Sequence, residues 1–170
     1  MIWINIIAII ILLLSLFGGL REGAVKQFFN LVVLIIAIPL TGLSYHLLAK
    51  LFSFLPGENW GNFIGFFITL AIISVILHFI ALLPRRLVQK IWRRGLLFRL
   101  LGGALNVVNA SIGMVVFTLV LLAYPIFDWL ERAVAGSAVL ASLVEAFGFV
   151  QAMLPEVFQS AGMVVAGLLI

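Results

Sequence analysis

The fold of this chain is decided by residues 2–20, which read IWINIIAIIILLLSLFGGL and contain no charged side chain. About 20 helical residues, each rising about 1.5 Å, cross the roughly 30 Å hydrocarbon core of a bilayer. A cleaved signal peptide is the competing interpretation, but it needs a basic segment before a shorter apolar run and small residues at the cleavage site. Since residues 2–20 lack that pattern, we predict a membrane-spanning helix.

The overall composition also indicates a membrane protein. Of the 170 residues, 65% are hydrophobic and 9% are charged, whereas soluble domains average about 45–50% and about 25%. These values exclude a soluble enzyme, a disordered tail and most nucleic-acid-binding modules. The pI of about 10.1 reflects ten basic against six acidic residues, so we expect no nucleic-acid partner. The chain has no cysteine, which excludes disulfides and thiolate metal sites.

Three further apolar runs are long enough to span a bilayer: residues 28–49, 60–83 and 100–125. A polar hinge at 21–27 separates the first two, and Pro84 is expected to end the third. The sequence therefore predicts an all-α membrane protein in which residues 1–125 form a bundle of four transmembrane helices.

The segment between the third and fourth spans is strongly basic, and residues 85–94 read RRLVQKIWRR. A helix there places its apolar and basic side chains on opposite faces, as in helices that lie in a membrane interface. We predict such a helix, with anionic lipid headgroups as its partners. The residues expected to contact lipid and set topology are Arg85, Arg86, Lys90, Arg93, Arg94 and Arg99.

The distribution of positive charge predicts the orientation. The first and third connections carry eight of the ten basic residues, and the other side receives Lys50 and Arg132. Because basic loops stay in the cytoplasm, we expect both termini on the outer side.

The composition changes after Pro125. Residues 126–170 contain scattered charges and apolar residues at helical spacing. We expect an amphipathic C-terminal segment of one or two short helices, which either lie on the outer surface or fold back onto the bundle. Residues 161–170 are apolar but too short to span, and the sequence leaves their role open.

The predicted spans offer little for catalysis. Membrane enzymes and pumps usually place ionisable groups within their spans, but no Asp, Glu, Lys or Arg lies near the centre of any of them. We expect no enzyme activity, no cofactor and no metal. The candidates for chemistry are His46 and His78, which belong at different depths; a structural role is favoured for each, with a proton relay or ligand as the alternative.

Small and weakly polar residues recur at packing intervals. One face of the fourth span carries Gly102, Asn106, Asn109 and Gly113, and Gly61 and Gly65 begin the third span. Such faces let helices approach closely and form amide hydrogen bonds. They predict packing within the bundle or an interface with a partner; lining of a polar path is the remaining alternative.

Three segments resemble the colicin V production protein (CvpA) family. They are the opening residues 1–5 (MIWIN), the hinge 20–27 (LREGAVKQ) and residues 99–103 (RLLGG). Asn5 stands where the family usually has Asp, and Gln27 stands where it usually has Glu.

The resemblance implies a multi-pass protein of the bacterial inner membrane, associated with colicin V or bacteriocin production or export, or with envelope maintenance, and without known chemistry. One alternative is an accessory or scaffolding subunit of a larger membrane complex, with other membrane subunits as partners besides the lipid bilayer. A second alternative is a solute channel or transporter.

Overall fold

The structure is a computed structural model that describes residues 2–52, 57–91 and 95–167, and it contains no strand within those ranges. The helices, in chain order, are α1 (Ile2–Glu22), α2 (Ala24–Ala49), a 3-10 turn (Lys50–Phe52), α3 (Glu58–Ile91), α4 (Leu96–Ala123), α5 (Asp128–Ala135), α6 (Ala138–Ala146), α7 (Gly148–Ala152) and α8 (Glu156–Gly167).

Four of these helices, α1 to α4, are long and apolar enough to cross a membrane, which confirms the four predicted spans. The first connection is shorter than expected, because α2 begins at Ala24 and only Gly23 interrupts the two helices. Gly23 has a φ of 83°, a left-handed conformation that glycine adopts without steric cost. One residue is therefore enough to reverse the chain.

The helix that we expected to end at Pro84 is longer, since α3 continues through Pro84 to Ile91. Proline removes one backbone N–H from the helix, and the remaining hydrogen bonds of a long apolar helix tolerate that loss. The basic segment, as far as Ile91, is a continuation of α3. It is not the separate helix that the sequence predicted. Residues 92–94 lie outside the described part of the chain. The fourth span begins at Leu96, four residues earlier than expected.

Helix α4 lies at the centre of the structure. It packs against α1 on one side and α2 on the other, and α3 packs mainly on α2. Half of the most apolar stretch of α4 is buried (50%), compared with 17% in α1 and 11% in α3. Much of the surface of α1 and α3 is therefore free to contact lipid or another protein.

The C-terminal helices fold back onto the four spans. Helices α6, α7 and α8 all contact α4. Val150 and Phe158 are fully buried and share one hydrophobic cluster with Ile112 and Leu119 of α4. Residues 126–161 thus complete the core around α4. The side chains of residues 162–170 lie outside the description.

The two ends of the structure differ in charge. The α1–α2 hinge meets the beginning of α4, where a Cβ on Gly102 would lie 2.6 Å from the carbonyl carbon of Gly23. We call this the basic end; its described basic residues are Arg21, Lys26, Arg85, Arg86 and Arg99. At the opposite end Asn59 donates a hydrogen bond to the Pro125 carbonyl. We call this the acidic end, because Glu58, Asp128 and Glu131 lie beside that contact in the chain.

Candidate functional site

Gln27, in the first turn of α2, is the centre of a buried polar cluster. Its side chain is only 1% exposed. Its Nε2 donates a hydrogen bond to Glu22 Oε2 over 2.6 Å, and its Oε1 accepts one from Asn30 Nδ2 over 3.2 Å. Buried amides need such partners, since an unpaired one costs about 1–3 kcal/mol. The hydrogen bonds around Gln27 tie the hinge to the first two turns of α2.

Asn109 joins this cluster from α4. Its Nδ2 donates to both the backbone carbonyl of Gln27, at 3.1 Å, and the side-chain Oε1 of Gln27, at 3.2 Å. The Oδ1 atom of Asn109 is buried and has no hydrogen-bond partner in the described structure. The Asn109 side chain therefore bonds α4 to α2, and its Oδ1 is the acceptor that stays unpaired among the described residues.

His78 connects α3 to the same cluster. Its Nε2 lies 3.0 Å from Asn30 Oδ1, and the contact is exposed at the surface. Glu22 also forms a salt bridge with Lys26. We call Glu22, Gln27, Asn30, His78 and Asn109 the Gln27 network; it links all four long helices near the basic end.

The chemistry of the Gln27 network is mainly that of neutral amides. Three of its five members are Asn or Gln, which donate and accept hydrogen bonds but do not exchange protons at ordinary pH. Within the described residues, no group of three or more His, Cys, Asp or Glu side chains could hold a metal ion. The arrangement suits the joining and orientation of helices.

A second polar contact lies where α1 crosses α4. Asn106 Nδ2 donates to the Ser15 carbonyl over 2.6 Å. Nearby, a Cβ on Gly102 would lie 2.6 Å from the Gly19 carbonyl oxygen. Gly102 and Asn106 thus face α1, and Asn109 faces α2. This face of α4 packs inside the protein at three of its four predicted positions.

At the fourth position, Gly113, an added Cβ would have no atom within 4 Å. Gly113 lines an apolar groove of about 480 Å³ together with Trp3, Met114 and Phe117.

The other predicted glycines lie where α3 crosses the end of α2. An added Cβ on Gly65 would lie 2.7 Å from Ala49 Cα, and one on Gly61 would lie 3.4 Å from the Ala49 carbonyl oxygen.

A family model described as "Colicin V production protein" matches residues 4–148. The chain belongs to the Colicin V production protein family. The matched range contains α1 from Ile4 onward, all of α2, α3 and α4, and every member of the Gln27 network. No curated protein and no solved structure matches the chain.

Two amide side chains join separate segments in this member. Gln27 Nε2 donates to Glu22 Oε2 across the α1–α2 hinge. Asn5 Oδ1 accepts from Ser137 Oγ over 2.5 Å and from the Val139 N–H over 3.3 Å. Both positions hold separate segments together in this member of the Colicin V production protein family.

Sequence reasoning missed another buried pair in this family member. The hydroxyls of Tyr45 and Tyr124 lie 2.5 Å apart, and the rings of both contact Phe158. These are the only two tyrosines of the chain, and each lies near the end of an apolar span, which is the one sequence feature that could suggest a contact. Because they are 79 positions apart, no local pattern indicates that they meet.

The remaining predicted residues lie near the two ends. His46 is exposed in the last turn of α2 and lines a groove with Lys50 and Glu58, whereas His78 lies toward the basic end. Arg86 and Arg99 are exposed and Arg85 is half-buried. Lys90 belongs to α3, but its side chain is outside the description, as are Arg93 and Arg94 entirely.

Proposed function

We propose that this member of the Colicin V production protein family is a multi-pass protein of the bacterial inner membrane that serves production or export of colicin V or a similar bacteriocin, or envelope maintenance, without catalysing a reaction. The family match over residues 4–148 carries the proposal. The polar side chains of the Gln27 network support it, because they are engaged in hydrogen bonds between helices, as expected of a structural scaffold.

The proposed orientation places the basic end in the cytoplasm and both termini outside. Eight of the ten basic residues lie in the two sequence segments predicted to connect the spans on that side, and such residues resist translocation. We further propose that Arg85, Arg86, Lys90, Arg93, Arg94 and Arg99 contact anionic lipids at the cytoplasmic interface, each contributing about 1 kcal/mol.

A second candidate function is that of an accessory or scaffolding subunit in a larger membrane complex. The observation that favours it is the exposure of α3, of which only 11% is buried in its most apolar stretch. The exposed surface includes His78, a polar residue that membrane proteins usually turn toward other protein.

The first proposal is tested by measuring colicin V export. A colicin V-producing bacterium that lacks its own family member would express this chain, and colicin activity would be compared between medium and cell extract. We expect wild-type protein and Gly113→Ala to restore activity in the medium, and Gly102→Leu, which disrupts the α1–α4 crossing, to fail. Equal export with and without the chain, together with unchanged resistance to detergent stress, would overturn both the export and the envelope role.

A further inference from the structure

The C-terminal segment contains a stretch that is apolar almost throughout. Residues 148–161 comprise α7, the turn after it and the start of α8, and they contain one charged residue, Glu156. We call this stretch the C-terminal strap. Its residues Val150, Leu154 and Phe158 are at most 2% exposed and belong to the hydrophobic cluster around α4. One side of the strap therefore packs on the spans.

The strap is also apolar on its exposed side. Phe149, Met153 and Val157 are 36–48% exposed. A helix that is hydrophobic all round is typical of a protein interior or a membrane, whereas an amphipathic segment on the outer surface would expose polar residues to water. The exposed side of the strap is thus better suited to acyl chains than to water.

The amide and hydroxyl side chains of the strap bond to its own backbone. Gln151 Nε2 donates to the Gln159 carbonyl over 2.6 Å. Gln159 Nε2 donates to the Leu154 carbonyl over 3.0 Å. Ser160 Oγ donates to the Val157 carbonyl over 2.9 Å. Polar groups in contact with lipid need partners within the protein, because hydrocarbon offers none. These donors meet that requirement.

The turn of the strap lies beside α2, well before the end of that helix. A Cβ on Gly42 would lie 2.7 Å from Pro155 Cδ. Gly42 precedes Ala49, the last residue of α2, by seven residues, which is about 10 Å along the helix. The ring of Phe158 lies 5.7 Å from that of Tyr45, one turn closer to the end. The strap therefore occupies the same depth as part of a span.

The surroundings at this depth are those of a membrane. Leu43 and Leu47, on either side of Tyr45 in α2, are 77% and 72% exposed, as expected of residues that face acyl chains in a spanning helix. Glu156 sets a limit to the depth, because a carboxylate is costly at the centre of a bilayer. The strap therefore belongs at the boundary between headgroups and acyl chains, where embedded helices lie about 5–10 Å deep.

We propose that the C-terminal strap is a re-entrant element, which enters the bilayer at the acidic end, turns at Pro155 and lays Phe149, Met153 and Val157 among the acyl chains. The partner of its exposed side is therefore the lipid of that leaflet. The depth of the turn, the apolar exposed side and the internal hydrogen bonds support this assignment together. It does not depend on the process that the protein serves or on its orientation, because the depth is measured against α2 itself.

The test measures what surrounds the strap. Because the chain has no cysteine, one introduced cysteine carries a nitroxide spin label at a single position. Full-length Phe149→Cys, Met153→Cys and Val157→Cys proteins are labelled and reconstituted in phosphatidylcholine vesicles. Collisions of the label with oxygen, which concentrates in hydrocarbon, are compared with collisions with a water-soluble nickel complex. Leu43→Cys, at the depth of the strap, is the lipid reference, and Asp128→Cys, exposed at the acidic end, is the water reference.

We expect the ratio of oxygen to nickel collisions at the three strap positions to match that of Leu43→Cys and to exceed that of Asp128→Cys severalfold. A pair of unlabelled variants tests the same point. Val157→Lys should lower the fraction of protein that stays folded as a denaturing detergent is added, because a charge is costly among acyl chains. Leu51→Lys, at an exposed apolar position beyond the end of α2, should leave that fraction unchanged.

Two outcomes would overturn the proposal. A collision ratio at the strap equal to that of Asp128→Cys, with Val157→Lys as stable as Leu51→Lys, would make the strap a cap that faces water. Exclusion of both oxygen and nickel from the strap positions, while Leu43→Cys admits oxygen, would assign the exposed side to a contact with a second copy, the only other protein in the vesicles.

Discussion

Gly19 of α1 and Gly102 of α4 meet backbone to backbone. A Cβ on Gly19 would lie 2.2 Å from the Gly102 carbonyl oxygen, a distance at which the two helices must move apart. Asn106 donates to the Ser15 carbonyl beside this contact. The absence of both side chains thus lets the α1 and α4 backbones approach, and the approach brings the amide within reach of its acceptor.

This relationship predicts that Gly19→Ala and Gly102→Ala each lower the free energy of unfolding by roughly 1–3 kcal/mol, the usual cost of overpacking. Gly113→Ala is the control, because an added Cβ there meets nothing within 4 Å. Unfolding by a denaturing detergent, followed by tryptophan fluorescence, measures the change. Equal stability of Gly102→Ala and Gly113→Ala would contradict the close crossing.

The Gln27 network predicts a comparable loss for Gln27→Leu. The substitution leaves Asn30 and Asn109 without their shared acceptor and removes the donor to Glu22. We expect a loss of roughly 1–3 kcal/mol in the same unfolding measurement. Asn62→Leu serves as the control, since Asn62 forms no side-chain hydrogen bond among the described residues. Similar stabilities of the two variants would show that the network does not hold the helices together.

The sequence predicts the four spans because each depends on a local property, an apolar run of sufficient length. The face of α4 was also predictable from spacing. The partners of this face were not predictable. Asn109 meets Gln27, 82 positions away, and nothing in the first apolar run marks Gly19 as the residue that meets Gly102. Contacts of this kind depend on which helices become neighbours, and local periodicity does not specify that.

Helix α3 shows a second limit of prediction from the sequence. Pro84 disfavours helix in a soluble protein, and the sequence therefore predicted a break there. The structure nevertheless continues α3 through Pro84 to Ile91. In lipid an interrupted backbone is costlier than one missing hydrogen bond, which favours such a continuous helix. The tendency of proline to end a helix therefore depends on whether water or lipid surrounds that helix.

The Tyr45–Tyr124 hydroxyl pair predicts energetic coupling. Either Tyr→Phe substitution leaves the other hydroxyl without its partner, whereas the double substitution removes both groups. We expect the double variant to lose less stability than the sum of the single variants, by about 1 kcal/mol. A double-mutant cycle in the unfolding assay measures this coupling. Strict additivity would mean that the two hydroxyls do not interact.

Two buried threonines predict different effects of the same substitution. Thr118 Oγ1 is buried without a hydrogen-bond partner, whereas Thr69 Oγ1 donates to the Gly65 carbonyl over 2.6 Å. Because an unpaired buried hydroxyl is unfavourable, we expect Thr118→Val to raise the free energy of unfolding by about 1 kcal/mol, and Thr69→Val not to raise it. Stabilisation of Thr69→Val with loss in Thr118→Val would refute this assignment of hydrogen bonds.

The basic residues predict how the protein inserts. Lys90, Arg93 and Arg94 are three of the eight basic residues that the sequence places in the first and third connections. Replacing all three by Glu should weaken retention of that end in the cytoplasm. A C-terminal reporter that is active only outside the cytoplasm should therefore lose part of its signal. The control is Lys50→Glu with Arg132→Glu, which leaves the basic end intact and should keep the signal. Full reporter activity in the triple variant would show that Arg21, Lys26, Arg85, Arg86 and Arg99 suffice to set the orientation.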